Sequence, residues 1–147
     1  MTSTASFQVM VFNRTDAVTR EFVTALHTGR SGDDRRVLWV GTDGGGLSRV
    51  EGDRVSRLGP AEGLPATAVY SLFETTAEEG GQALWIGTRG HGLVRLREGR
   101  WRTLLPEAGH LPVGVNALAE SHPADGAPTL WIGTDGDGLL SFANGLW

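Results

Sequence analysis

The decapeptide LWVGTDGGGL at residues 38–47 recurs as LWIGTRGHGL at 84–93 and as LWIGTDGDGL at 130–139. The tryptophans at positions 39, 85 and 131 lie 46 residues apart both times, so no insertion or deletion separates the copies. A fixed period of 40 to 50 residues is typical of repeat folds. The chain therefore consists of three copies of one structural unit.

Each copy carries four short strand signals. In the second copy an apolar run at 68–73 precedes the run at 84–88, and two further runs at 93–97 and 101–105 alternate apolar and polar residues. Gly, Pro and acidic residues separate the runs, and no segment has a sustained helical periodicity. Four short strands per 46 residues predict an all-β fold built from β-propeller blades.

The period also predicts the boundaries of the blades within a single domain of residues 1–147. Blade 1 spans about 22–59, blade 2 about 68–106, and blade 3 about 114–147. One repeat position, near the start of the fourth strand, is occupied by Val9, Val55, Trp101 and Trp147. The chain thus stops as its last fourth strand begins. We expect residues 7–12 to supply that strand to blade 3 of a neighbouring protomer.

The repeated phrase resembles a known family. Leu-Trp-Ile-Gly-Thr-x-Gly-x-Gly-Leu, the Gly-Leu-Pro step at 63–65 and a following Val-x-Ser/Ala-Leu are similar to the two-component regulator propeller repeat, over residues from about 10 to 147. That repeat builds sensor propellers attached to bacterial histidine kinases. The resemblance implies propeller blades and a recognition role, and no catalytic residue, because the shared motif is a packing motif. The Gly-Leu-Pro step is absent at 17–19.

Three blades do not close a ring, since propellers typically have four to eight. An open arc would leave two apolar faces in water, and neither the first nor the last copy is altered as a capping repeat. We therefore expect closure by homo-oligomerisation, with a six-bladed dimer favoured and a nine-bladed trimer as the alternative. A fragment of a longer propeller is the other interpretation. The residues expected at the closure are Phe7, Val9, Val11, Leu140, Phe142 and Trp147.

The turn between the second and third strands is the clearest candidate site. In an up-and-down blade this turn shares one face with the link to the next blade. Its frame, Gly-Thr-x-Gly-x-Gly-Leu, is constant in all three copies. The two variable slots hold Asp and Gly in the first copy, Arg and His in the second, and Asp and Asp in the third. A constant scaffold with varied polar side chains is typical of a binding face, although Asp and Gly are also common in turns for local reasons. The predicted ligand-binding residues are Asp43, Arg89, His91, His110, Asp135 and Asp137.

Other site chemistries find little support, and we predict no enzyme and no cofactor. The glycines at 44–46 lack the Lys of a phosphate loop, and residues 135–138 lack the remaining ligands of an EF-hand. No two histidines have metal-ligand spacing, and the absence of Cys excludes thiolate sites and disulfides. A propeller lyase that uses His91 or His110 stays as an alternative.

Composition and charge limit the classes of partner that we expect. The net charge is −4 and all 13 basic residues are Arg, so we expect no nucleic-acid partner. No apolar run approaches the ~20 residues of a membrane helix, and no signal peptide is visible. We expect a cytoplasmic protein, although the family's sensors lie outside the cytoplasmic membrane. The function predicted is a non-enzymatic recognition module that binds copies of itself and a polar small molecule or carbohydrate. A protein-interaction scaffold is the alternative.

Overall fold

The computed structural model describes residues 21–31, 33, 35–76, 81–104 and 114–147. These residues form three antiparallel sheets of four, four and three strands, each continuous in the sequence. The first sheet has the order β1-β2-β3-β4, with bounds Phe22–Arg30, Arg36–Asp43, Leu47–Glu51 and Arg54–Leu58. The second has the order β5-β6-β7-β8, with bounds Val69–Thr76, Gln82–Thr88, Leu93–Arg97 and Arg100–Leu104. The third has the order β9-β10-β11, with bounds Val115–Ser121, Thr129–Thr134 and Leu139–Phe142.

The all-β class predicted from the period is confirmed. Within the described ranges the one helical element is a short 3-10 turn, Pro60–Glu62, in the link between the first two sheets. Three meander sheets in series are consistent with propeller-like blades. No helix in the described part of the chain has the length and apolarity needed to cross a membrane.

Consecutive sheets pack face to face, and their first strands lie side by side. β5 contacts β1 and β2, and β9 contacts β5 and β6. The Ser71 hydroxyl donates to the Val115 carbonyl at 3.1 Å, and the Thr24 hydroxyl donates to the Val69 carbonyl. These side-chain hydrogen bonds attach each first strand to the start of the next.

Two apolar cores fill the space between the sheets. Between the first and second sheets Trp39 packs with Leu64, Val69 and Ile86, and between the second and third Trp85 packs with Ile132 and its neighbours. The prediction that the repeated Trp packs between blades is confirmed for both residues. Burial of two large aromatic rings gives each core much of its apolar area.

The repeated Gly before Thr sets how closely the sheets approach. A Cβ atom at Gly41 would lie 2.7 Å from Cγ1 of Val69, and one at Gly87 would lie 2.7 Å from Cγ1 of Val115. The first residue of each following strand therefore fills the space that a side chain would need. At these two positions a side chain is excluded because the next sheet lies against the Gly.

The third sheet ends where its fourth strand would begin. Ala143 and Leu146 form an isolated bridge at the repeat position of the Arg97–Arg100 pair, which starts the β7–β8 ladder. The following Trp147 packs edge-on against Phe142, with ring centroids 5.3 Å apart. Trp147 thus follows the Ala143–Leu146 bridge as Trp101 follows the Arg97–Arg100 pair in the second sheet. The predicted closing strand 7–12, with Phe7, Val9 and Val11, lies outside the described residues.

Candidate functional site

The repeated turn is held by its Thr. In the three turns the hydroxyl of Thr42, Thr88 or Thr134 donates to a Gly carbonyl four residues later, at 3.0, 2.7 and 2.7 Å. The two glycines that follow each Thr have positive φ in all three copies, a conformation that disfavours other residues. The frame is therefore a rigid scaffold, and its two variable slots can change without altering the backbone.

The turn and the link between sheets share one face of the molecule, as predicted. Backbone N–H groups of Gly44 and Gly46 donate to the Thr67 carbonyl at 3.0 and 2.7 Å. Asp43 also forms an isolated β-bridge with Ala68 at the start of the next sheet. The first variable slot consequently lies at the junction of two consecutive sheets.

The first-slot side chains of all three sheets interact electrostatically. The Arg89 guanidinium donates to the Tyr70 hydroxyl at 3.2 Å and is exposed. This hydrogen bond is the main cause that raises the pKa of Arg89 above its usual value, and the carboxylates of Asp43 and Asp135 raise it further. We name Asp43, Tyr70, Arg89 and Asp135 the charge cluster. The structure brings three of the six predicted site residues into it.

Tyr70 belongs to the cluster because of a β-bulge. In each sheet the ladder between the first two strands shifts register once. The shift lies between Val23 and Ala25 in the first sheet, between Val69 and Ser71 in the second, and opposite Gly133 and Thr134 in the third. The extra residues are Thr24, Tyr70 and Asn116, again at the 46-residue period. Bulges redirect side chains. Tyr70 was not among the residues predicted from the sequence, and the polar or aromatic character of these three positions was the signal that could have pointed to it.

The other predicted ligand-binding residues lie in the second slot of the turns or outside the described residues. His91 and Asp137 occupy the second slot at exposed turn tips, and the backbone N–H of Asp137 donates to the Thr134 hydroxyl at 3.1 Å. His110 lies outside the described residues. In the part of the chain that the structure describes, no group of three His, Asp or Glu side chains is arranged to hold a metal ion.

The predicted closure residues on the third sheet are partly buried. Phe142 packs edge-on against Trp85 at 5.7 Å, and Trp147 packs against Phe142. Leu140 also contacts the core between the second and third sheets. All three side chains thus contact this core within the chain itself, and the exposed apolar residues lie elsewhere.

Two sheet faces expose apolar side chains that are buried at equivalent positions of the repeat. Val23 is 52% exposed, whereas Val69 and Val115 are fully buried. Leu139 is 66% exposed, whereas its equivalents Leu47 and Leu93 are buried. We name the exposed surface of the first sheet the leading face, with Phe22, Val23 and Leu26, and that of the third sheet the trailing face, with Trp131, Gly133 and Leu139.

The two faces are the two halves of one interface that occurs twice within the chain. In both internal contacts, the repeated Trp and Gly of one sheet pack against the next sheet, whose first-strand Val contacts the Gly. At Gly133 the equivalent Cβ would meet Ala117 of its own sheet and no atom of a following one. Farther from β1, Val40 and Val50 on the leading face are buried against Leu38 and Val55, so the exposed part of that face is centred on β1.

Comparison with known proteins found no match, either among models of protein families or among curated proteins. The surfaces that bear on function are the charge cluster on the turn side and the two exposed sheet faces. Their chemistry differs, because the cluster offers charged and hydroxyl groups while the faces offer apolar side chains.

Proposed function

We propose that the chain is a non-enzymatic recognition module related to two-component sensor propellers. In this proposal copies of the chain close a propeller ring head to tail, and the charge cluster binds a polar small molecule or a carbohydrate. The observation that carries the recognition role is that the Arg89 guanidinium donates to the Tyr70 hydroxyl at 3.2 Å, while Asp43 and Asp135, in the first slots of the two neighbouring sheets, raise the pKa of Arg89.

The exposure pattern supports the ring. A second copy that placed its Val23 on Gly133 would repeat the contacts of Val69 with Gly41 and of Val115 with Gly87. Such a head-to-tail contact forms a ring when its rotation closes. Two copies give six sheets, within the usual range of propellers, and three copies give nine.

The native mass in solution tests the ring. Light scattering on a sizing column should give about 31 kDa for two copies of the 15.7 kDa protomer, or about 47 kDa for three. A mass of one protomer at all concentrations would contradict closure by copies of this chain, and the faces would then be covered by other blades or by a different partner.

The composition of the charge cluster supports a ligand with many hydroxyl groups. A six-sheet ring would hold the cluster twice around its axis, and each cluster combines two carboxylates with a guanidinium and a phenol. Carboxylates accept hydrogen bonds, guanidinium donates them and phenol does both. Polyols match such a mixed set, and repetition of the site adds avidity for ligands with repeated units.

Calorimetry with neutral saccharides and polar metabolites tests recognition. Arg89→Ala should abolish the heat of binding because it removes the central donor of the cluster. Arg54→Ala, an exposed arginine on β4, is the matched control and should bind normally. A panel that gives no heat with the wild-type chain, or binding that survives Arg89→Ala, would contradict a ligand at the cluster.

A protein-interaction scaffold is the second candidate, and the exposed apolar residues on the leading and trailing faces favour it. A protein partner held by these faces would still bind the double variant Arg89→Ala, His91→Ala. A ligand that binds on the turn side would not bind this double variant. Pull-down with the wild-type chain and the double variant therefore separates the two functions.

A further inference from the structure

A groove lies between the first and second sheets, away from the charge cluster. Its volume is about 860 Å³, within the range of small-molecule sites. It reaches the ends of the sheets opposite the turns, where Ser31, Gly81 and Gly99 lie. We name it the inter-sheet groove; the lining residues that matter here are Trp39, Arg49, Leu58, Glu74, Leu96 and Trp101.

The groove lies where the repeat carries a residue smaller than Phe. The position of Phe142 in the third sheet is occupied by Leu96 in the second and by Val50 in the first. In the third sheet the Phe142 ring lies between Trp85 and Trp147, with centroids at 5.7 and 5.3 Å, and packs edge-on against both. Leu96 has no ring to place between Trp39 and Trp101, so the space between these two indoles becomes part of the groove.

Trp39 differs from its two equivalents in its hydrogen bonding. The indole N–H of Trp85 donates to the Thr75 hydroxyl, and that of Trp131 donates to the Ser121 hydroxyl, both at 2.8 Å. The repeat position of those hydroxyls is Gly29 in the first sheet, which has none. The Trp39 indole N–H therefore lacks the hydroxyl partner of its two equivalents. A Glu74 carboxylate oxygen takes that place, 1.8 Å from where a Cβ of Gly29 would lie, and both Trp39 and Glu74 line the groove.

Arg49 brings a guanidinium group to the groove. Its guanidinium lies over the Trp39 ring at 5.9 Å from the centroid, and its Nη2 is 2.9 Å from a carboxylate oxygen of Glu51. Its Nε is buried, and no acceptor in the described residues lies within hydrogen-bonding distance of it. The side chain as a whole is 36% exposed and lines the groove, so its accessible N–H groups can donate to a ligand oxygen. The ion pair with Glu51 holds the guanidinium in place.

Carboxylates line the same groove. Glu74 and Glu98 contribute acceptors, and Leu58 and Trp101 contribute apolar surface. An anionic ligand would meet the carboxylates, and a cationic ligand would meet Arg49. A neutral polyol can accept from Trp39 and Arg49, donate to the carboxylates, and place the C–H face of a sugar ring on an indole.

We propose that the inter-sheet groove is a saccharide-binding site, with Trp39 and Arg49 as donors to ring or hydroxyl oxygens and Trp101 as a stacking surface. The site is formed within one chain and shares no residue with the charge cluster. It therefore depends neither on ring closure nor on the function proposed for the turn face.

The test is titration of the isotopically labelled chain with glucose, galactose, mannose and N-acetylglucosamine and their disaccharides, followed by NMR at the Trp39 indole N–H. At least one sugar should shift this resonance saturably, with a Kd on the order of 1 mM as expected for a ligand of this size. Acetate and methylammonium should not. The proposal is overturned if no sugar shifts the Trp39 signal, or if acetate shifts it as strongly as a sugar does.

Three variants locate the site. Leu96→Phe places in the groove the residue that the third sheet carries at that position, and should weaken sugar binding at least tenfold while the chain stays folded by circular dichroism. Leu146→Phe, the same change at an exposed residue outside the groove, should leave it unchanged. Arg89→Ala should also leave the Trp39 titration unchanged. Binding that survives Leu96→Phe, or that is lost in Arg89→Ala alone, overturns the groove assignment.

Discussion

At the scale of single residues, the distance between sheets depends on an absent side chain. A Cβ atom at Gly87 would lie 2.6 Å from the Val115 carbonyl oxygen and 2.0 Å from the Ser71 hydroxyl. The carbonyl belongs to the backbone of the next sheet, so it cannot move without separating the two sheets. The β conformation itself would accept an alanine here, since the obstacle is the neighbour and not φ.

We predict that Gly87→Ala lowers the free energy of unfolding by about 1–3 kcal/mol, the usual cost of overpacking. Urea unfolding measures it. Gly133→Ala is the matched control when both variants are compared as dissociated protomers. Its Cβ would meet Ala117 of its own sheet, with the Ala117 Cβ nearest at 3.2 Å, so it should cost much less. Equal losses in the two variants would show that the glycine matters for its own strand and not for sheet packing.

A second residue-scale prediction concerns the Thr of the turn. Thr88 is fully buried and donates to the Gly92 carbonyl at 2.7 Å. Thr88→Val keeps the shape and leaves that buried carbonyl with one partner fewer, so we expect a loss of about 1–3 kcal/mol in the free energy of unfolding. Thr134 makes the same bond at 2.7 Å but is partly exposed, so Thr134→Val should cost less because water replaces the hydroxyl. The reverse order would contradict this explanation.

At the scale of elements, the 46-residue period predicted the strands and turns that the three copies share. It could not predict structural features that arise where the copies carry different residues. The strands of each sheet, the turn frame and the packing of Trp39 and Trp85 depend on residues that repeat. The bulge at Tyr70 recurs at the repeat period, but the ladder shift itself depends on the paired strand and is not visible in one strand's sequence. The inter-sheet groove depends on Gly29 and Leu96, at positions where the copies differ, and their effect appears only when two sheets are packed together.

The link between β4 and β5 is a structural element in its own right. Leu64 in this link is fully buried in the core between the first two sheets. We predict that Leu64→Ala lowers the free energy of unfolding by about 2–5 kcal/mol, because it leaves a cavity between two sheets that cannot collapse independently. Leu146→Ala, at an exposed position, is the control and should change it by less than about 0.5 kcal/mol. A small loss at Leu64 would mean that the link does not bind the sheets together.

At the scale of the whole molecule, the leading and trailing faces are equivalent to the two surfaces that pack together between consecutive sheets of the chain. The first-strand Val is fully buried where a preceding sheet of the same chain covers it, and half-exposed at Val23, where none does. The trailing face offers the complementary Gly133 beside Trp131, which is 38% exposed. A head-to-tail contact between copies would bury both at once, and the same geometry that already joins the sheets would then determine its rotation.

This complementarity makes a prediction about a charge placed in the contact. Val23→Asp should convert the assembly expected at about 31 kDa into a folded 15.7 kDa protomer, because burying an unpaired carboxylate opposes association. The fold of the protomer should survive, since Val23 is already half-exposed within it. Thr103→Asp, which places the same charge on an exposed position of β8, should leave the mass unchanged. Light scattering and circular dichroism on both variants measure the two effects. An assembly that persists in Val23→Asp would mean that the copies join through surfaces other than the leading and trailing faces.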